Sequence, residues 1–398
     1  MNSLFNEEVM ESRITELDKL LQSTGYAKQK SKLQMELESF LSCLNPPKTL
    51  LDASPSDIQK FLVFKDSHGK TQVHILSCEH RGKKGQFGCN CPLRLSAGSV
   101  DSLIGKIRAI YRDNGRGCEW NPSLVVSNPA AAPGVKHYLK AIKLEQSLSA
   151  VTPKQAVPLF TDKLSMMSRH ISFSLGNPKN AVLQKYIFQR DMTFFNVLSY
   201  SGDRAGDLGG LLANQVCFLP DDAGLVFSLT HGKTINVTDP RVVIVFFCYK
   251  AEFCPATLLL NFIRFCNDHG FLRDSNYVFR ALADHNNLSK NPFSSSAANA
   301  RLRFYLEKLN LWKGETPHST RGACAVMLSH LNVSSESIKA HIGWKSDKIL
   351  QHYTRSKELD NKRNAASALS NAEMSEHLDL VKRLDLYKGV SSFKQVLQ

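Results

Sequence analysis

Acidic residues are in short supply. Asp and Glu number 36 against 50 Lys and Arg, which leaves a formal charge of +14 on 398 residues. That deficit excludes an acidic, solvating chain and points to a polyanionic partner, either nucleic acid or an anionic membrane. Long apolar runs are missing too. The longest, residues 242–249, falls far short of the ~20 apolar residues of a bilayer span, and no basic amphipathic anchor stands out. The opening M-N-S-L-F-N-E-E-V-M-E-S lacks the positive start and apolar run of a signal peptide. Ten cysteines, mostly in apolar surroundings, are too dispersed for a disulfide framework and fit a reducing compartment. Internal repeats and low-complexity tracts are absent. Nucleic acid remains the favoured partner.

What is present is ordinary globular material, 42% hydrophobic and 22% charged, enough for two or three domains. Residues 1–26 form a helix-prone extension with Ile14, Leu17, Leu20 and Leu21 at helical spacing. A second helix, 28–44, carries Leu33, Leu37, Phe40, Leu41 and Leu44 on one stripe and stops at Pro46-Pro47. Ser54-Pro55-Ser56-Asp57 reads as a capping box opening a third. Ser99 opens a fourth, with Val100, Leu103, Ile104, Ile107 and Tyr111 inward, and a fifth spans 135–147. Residues 27–150 are therefore expected to form a helical domain, and 151–160 a linker. From 161 to 358 the pattern is mainly helical with a small antiparallel sheet: a long helix at 180–200, strands near 215–219, 225–229 and beyond residue 233, helices at 256–268 and 297–309, and a short strand at 277–280. Residues 359–398 form a tail with one helix bearing Leu378, Val381 and Leu384.

Between the third and fourth helices lies T-Q-V-H-I-L-S-C-E-H-R-G-K-K-G-Q-F-G-C-N-C-P-L-R. His74, Cys78, Cys89 and Cys91 make two close ligand pairs joined by a loop, a pattern that suits tetrahedral zinc. His80, two residues after Cys78, competes for the nitrogen position. The loop and its surroundings hold the densest basic region: Arg81, Lys83, Lys84, Arg94, and on the following helix Lys106, Arg108 and Arg112. These are candidate phosphate contacts on double-stranded DNA.

The most informative stretch is 316–354. Thr316-Pro317 starts a helix, and His318 and Arg321 fall on one face near its N-terminus. Two cationic side chains beside a positive helix end call for an anion. A further helix leads to Gly343-Trp344, and Ser346 caps a last one that ends near Tyr353. Upstream, Gly202-Asp203-Arg204-Ala205-Gly206-Asp207-Leu208 supplies another Arg with an Asp one turn on, and Lys233 lies in S-L-T-H-G-K-T-I between strand-like segments.

Taken in order, G-x-R, a hairpin Lys, H-x-x-R, G-W and Tyr resemble the tyrosine recombinase (integrase) family. The resemblance implies that Arg204 and Arg321 clamp the non-bridging oxygens of a scissile phosphate, and that His318 donates or exchanges a proton. Lys233 would protonate the 5′-oxygen leaving group and Tyr353 would attack phosphorus. Trp344 occupies a His/Trp position, where its indole N–H can donate but carries no exchangeable charge. Asp207 would orient Arg204. A phosphotyrosine conserves the bond energy, so no cofactor is implied for catalysis.

Residues 26–155, with G-K-T-Q-V-H, C-N-C-P-L-R and G-S-V-D-S-L-I-G-K-I-R-A, resemble the ALOG DNA-binding domain. That domain is a helical core-binding module with a zinc-ribbon insert, here 74–94, found in plant regulators and in recombinases of DIRS-like elements. The resemblance assigns His74 rather than His80 to the metal. R-G-K-K-G-Q-F-G replaces the Pro-rich, aromatic loop of the plant proteins. Together the resemblances imply a recombinase or transposase of a DIRS-like or Crypton-like mobile element, acting on double-stranded DNA as a homotetramer on two sites. They imply a nuclear location if the source is eukaryotic and a cytoplasmic one otherwise. A catalytically silent, zinc-containing DNA-binding regulator and a type IB topoisomerase are the competing readings.

Overall fold

The structure is a computed structural model. It describes residues 7–22, 24–83, 87–124, 127–151, 157–232, 235, 237–248, 252–273, 275–284, 287–347, 350–351, 362–364 and 366–367. Lys84, Lys233, Tyr353 and the tail bearing Leu378, Val381 and Leu384 lie outside these. The chain divides into two compact units, 1–154 and 155–398, and the fold is mainly helical with small antiparallel sheets. No described helix is long and apolar enough to cross a membrane.

The first unit contains α1 (Glu7–Gln22), α2 (Gly25–Ser42), α3 (Pro55–Asp66), β1 (Thr71–Gln72), β2 (Leu93–Arg94), α4 (Ala97–Tyr111) and α5 (Pro133–Leu148). Leu33, Leu37, Leu41, Ile58, Phe61, Ile104, Ile107 and Val135 meet in its core, as helical periodicity requires. The capping box at α3 is formed: Ser54 N donates to Asp57 Oδ2 at 2.9 Å and Asp57 N to Ser54 Oγ at 3.3 Å. Ile14, Leu17, Leu20 and Leu21 of α1 stay exposed. Between α4 and α5 lies a 3-10 turn, Pro129–Ala131. Asn128 opens it, its side-chain oxygen accepting from Ala130 N at 3.1 Å.

The second unit runs α6 (Thr161–Leu175), α7 (Val182–Ser201), α8 (Ala205–Gly209), β3 (Val216–Phe218), β4 (Gly224–Leu229), β5 (Arg241–Phe246), α9 (Pro255–Asp268), β6 (Arg280–Leu282), β7 (Leu288–Pro292), α10 (Ser295–Lys308), α11 (Pro317–His330) and α12 (Ser335–Ile342). Its sheet has the order β3-β4-β5, all antiparallel, with Val226 opposite Ile244. The buried helix α7 brings Phe194, Phe195, Val197 and Leu198 into the main core. It also carries the buried carboxylate of Asp191, which accepts from Arg190, Arg301 and Tyr305 at 2.6–2.9 Å.

The strand expected at 277–280 is only partly one. Tyr277 bridges Leu212, and the ladder proper is β6 with β7. The physical reason lies in the partners: Val278 N is taken by Leu211 O and Phe293 N by Phe279 O, so the segment changes neighbours along its length. Helix α6 had no place in the sequence reading, although Leu164, Met167 and Ile171 form its buried stripe.

Candidate active site and metal centre

Helix α7 ends at Gly202, whose left-handed backbone (φ 60°) turns the chain toward Arg204. Helix α11 packs against this end through Gly322, Ala323, Cys324 and Ala325, all buried and small. A Cβ on Gly202 would lie 3.3 Å from Cys324 Sγ and 3.2 Å from Ile342 Cγ1, so the approach is tight.

That approach brings together His318, Arg321 and Arg204. Arg321 is 2% exposed, and its Nη1 donates to Gly202 O at 2.6 Å. Its Nη2 is buried and has no hydrogen-bond partner among the described residues. Its guanidinium lies 5.3 Å from the Trp344 ring centroid. Trp344 is buried with Cys324, Ala325, Ile338, Ile342 and Leu350. Burial, then the nearby Arg204 and Arg241 charges, pull the Arg321 pKa down to about 10. His318 reaches the surface, and its pKa is also lowered, first by desolvation of the ring and then by Arg321 and Arg204. Arg204 remains partly exposed and pairs with Asp207 at 3.2 Å. Three basic groups gathered here, one of them with a buried unused donor, make a site suited to an anion.

Asp207 has a second neighbour. A Cβ on Gly232 would fall 2.6 Å from Asp207 Oδ1, so a larger residue there would displace the Asp207 carboxylate. Gly232 forms an antiparallel bridge with Ile235. On the other side, Leu350 is buried three residues before Tyr353.

Two functional candidates were missed by sequence reasoning. Arg241, at the start of β5, pairs with the buried Asp203 and donates from Nη2 to Ser201 O at 3.0 Å and to His341 O at 2.7 Å. An Asp inside the G-x-R motif was the available signal; nothing in the sequence marked its partner. The other is His341, which bonds Tyr200 O through Nε2 at 2.7 Å.

In the first unit, His74, Cys78, Cys89 and Cys91 come together, with all four ligating atoms within 4.8 Å of one another. His74 Nδ1 lies 3.4 Å from Cys78 Sγ and 3.5 Å from Cys89 Sγ. Zinc bonds of ~2.1 Å to nitrogen and ~2.3 Å to sulfur at a tetrahedral angle give an N···S edge of about 3.6 Å, so the donor set fits. Gln72 Nε2 donates to Cys89 Sγ at 3.2 Å, the hydrogen bond a metal-bound thiolate accepts. His80 is not one of the four. Its ring stacks on Phe87 with centroids 4.5 Å apart.

The expected basic face is largely engaged within the protein. Arg81 Nε donates to Leu148 O at 2.8 Å, and Arg94 faces Asp66 at 3.4 Å. Lys106 donates to Gln29, Arg108 to Ala130 O, and Arg112 to Asp113. Lys83 is exposed.

The architecture is a mainly helical fold with small antiparallel sheets, preceded in the chain by a helical unit whose insert gathers four candidate metal ligands. The chain matches the description "ALOG domain" over residues 15–144. That span opens inside α1, ahead of the boundary expected at residue 27. It is 36% identical over 123 residues to Protein LIGHT-DEPENDENT SHORT HYPOCOTYLS 8 of Arabidopsis thaliana, covering 31% of this chain and 71% of that protein. It is 35% identical over 133 residues to Protein G1-like7 of Oryza sativa subsp. indica, covering 33% of this chain and 59% of that protein. The chain belongs to the ALOG domain family. Among solved structures, the XerH site-specific recombinase bound to palindromic difH substrate superposes with a TM-score of 0.50 at 12% identity, covering 84% of this chain and 76% of that one. That likeness is one of fold.

Proposed function

We propose that the protein is a site-specific DNA recombinase or transposase that cuts and rejoins DNA through a 3′-phosphotyrosine. The observation that carries the reading is the convergence of Arg204, His318 and Arg321, with a buried unpaired Arg321 donor, on the turn after α7. In this mechanism Tyr353 Oη attacks phosphorus and the bond to the 5′-oxygen breaks. Lys233 gives that oxygen its proton, and Arg204 and Arg321 hold the two non-bridging oxygens where charge grows in the transition state. The lowered pKa of His318 keeps its imidazole neutral at pH 7, able to accept the Tyr353 proton or donate to an oxygen. Trp344 holds the Arg321 guanidinium by its ring face. Asp207 orients Arg204.

The first unit reads as the DNA-gripping module. His74, Cys78, Cys89 and Cys91 hold a structural zinc there, which supplies fold stability rather than chemistry. The partner is double-stranded DNA, the working assembly a homotetramer on two sites, the location the nucleus, and the source a mobile element of the DIRS-like or Crypton-like kind. A second reading, a silent DNA-binding regulator built on the same fold, is favoured by the plant proteins to which the first unit is similar. A nicked suicide substrate separates the two: the recombinase becomes covalently joined to DNA and Tyr353→Phe does not, whereas the regulator binds DNA and forms no adduct in either case.

A further inference from the structure

Arg241 stands outside the ordered recombinase motif, yet its guanidinium joins two separate segments to the start of β5. Nε pairs with Asp203, the residue between Gly202 and Arg204. Nη2 donates to Ser201 O at 3.0 Å, at the end of α7, and to His341 O at 2.7 Å, near the end of α12. Nη1 occupies the space beside Gly343: a Cβ there would fall 2.0 Å from it, and Gly343 already has a left-handed backbone with φ 73°. The turn leading to Arg204 and the turn leading to Trp344 are thus fixed to one planar group. Asp203 is 1% exposed, and its second oxygen, Oδ2, has no partner among the described residues. Burial pushes the Asp203 carboxyl's pKa up, against the pull of the Arg241 guanidinium and, more weakly, of Arg321.

We propose that Asp203 and Arg241 are positioning residues that set the Arg204–Arg321–Trp344 geometry for binding a phosphoryl group, an inference that rests on the recombinase reading. A forked, planar cation suits the task. It can meet a carboxylate and two carbonyls at once in fixed directions, which an ammonium on a flexible stem cannot. The buried carboxylate in turn offsets one of the positive charges gathered there. A phosphoryl oxygen then meets donors already in place.

The test uses the full chain with its metal. Removing Arg241 alone strands a buried carboxylate, so the informative protein is the neutral double variant Asp203→Asn/Arg241→Gln, with Arg241→Lys beside it. Two readouts are taken: the melting shift produced by orthovanadate, a phosphoryl transition-state mimic, and the rate of covalent adduct formation on a nicked substrate at saturating DNA. The double variant is expected to bind DNA as wild type does, to lose the vanadate shift, and to form adduct on the order of 10²-fold more slowly. Arg241→Lys is expected to fall between. A pair that only stabilised the fold would lower the melting point and leave the saturated rate intact. Wild-type protein that traps DNA while the double variant traps it equally fast overturns the positioning role alone. Should the double variant not fold, Arg241→Lys decides by the same comparison, a wild-type rate overturning the role. Wild type that neither traps DNA nor responds to vanadate overturns the recombinase reading, and this role with it.

Discussion

Arg321 Nη1 donates to the carbonyl of Gly202 at 2.6 Å, so one arginine of the site holds the turn that presents the other. The sequence separates them widely, and the bond converts that separation into contact. Losing Arg321 therefore removes an anion donor and loosens the position of Arg204 together.

Arg321→Ala and Arg204→Ala are each expected to slow adduct formation by about 10²-fold or more, as loss of one preorganised anion donor does. Arg321→Ala should also lower the melting temperature, because it releases the Gly202 turn; Arg204, partly exposed, should cost little stability. Equal melting points for the two variants would contradict this. Lys233→Ala should recover its rate on a substrate with sulfur in place of the 5′-oxygen, since a thiolate leaves without a proton.

His318 gives a pH signature. Its folded pKa lies below the ordinary value of ~6.5, because of desolvation and then Arg321 and Arg204. A group with a depressed imidazole pKa favours the neutral form, so cleavage should keep its rate below pH ~6.5 and lose it only as pH falls through the lowered value. The unfolded chain binds this proton first, so the stability linked to His318 also falls as pH drops through ~6.5. Rate and melting profiles of wild type and His318→Gln check both signs; an acid limb at or above the ordinary value would contradict them.

Asp57 gives a signature of the same sign, at lower pH, in the first unit. Burial opposes its charge, but Lys48 Nζ at 2.6 Å and the bonds from Ser54 hold its pKa at about 2. Its folded value is depressed, so the stability it contributes is present above ~3.9 and disappears as pH falls toward 2. Asp57→Asn should cost about 2 kcal/mol at neutral pH and converge on wild type near pH 2. Thermal melts at both ends measure the difference.

For the metal, His74→Ala should lower the bound zinc of the purified protein and His80→Ala should not, since His80 is stacked on Phe87. Elemental analysis decides. A zinc content unchanged by His74→Ala would assign the nitrogen ligand elsewhere.

DNA affinity should fall steeply with salt, each neutralised phosphate adding about −0.9 to the slope of log K against log salt. Lys83→Ala should reduce that slope by about one such unit without changing the melt. Arg108→Ala should lower stability too, because its Nε holds Ala130 O at 3.0 Å. A flat salt response would count against DNA as the partner.

The helical stripes of α2, α3 and α4 and the capping box at Ser54 were legible because each depends on residues a few positions apart. So was the gathering of His318 and Arg321, which share one helical face. The Asp203–Arg241 pair was not: its members lie 38 residues apart, and an arginine opening an apolar strand looks like a solvated strand end. Arg108 was read as free for phosphate because a helix face shows its charge and hides the distant carbonyl it meets. Helix α6 had its Leu164, Met167 and Ile171 stripe in plain view but no side-chain cap at Phe160 to announce its start.

The excursion that carries the four candidate metal ligands leaves the helices after Asp66 and returns at Leu95, and its base is closed by the chain itself. Asp66 Oδ1 accepts from Leu95 N at 2.8 Å, and Gly69 backs onto Arg94 so closely that a Cβ would lie 1.7 Å from the Arg94 carbonyl carbon. Chelation should therefore melt the tip as a local unfolding unit while the base and the helices stay shut. Amide hydrogen exchange after metal removal would then divide this unit in two, with rapid exchange at residues 74–91 and lasting protection in α2, α3 and α4. The DNA-gripping module would lose its fingertip to an oxidant or a chelator and keep its palm.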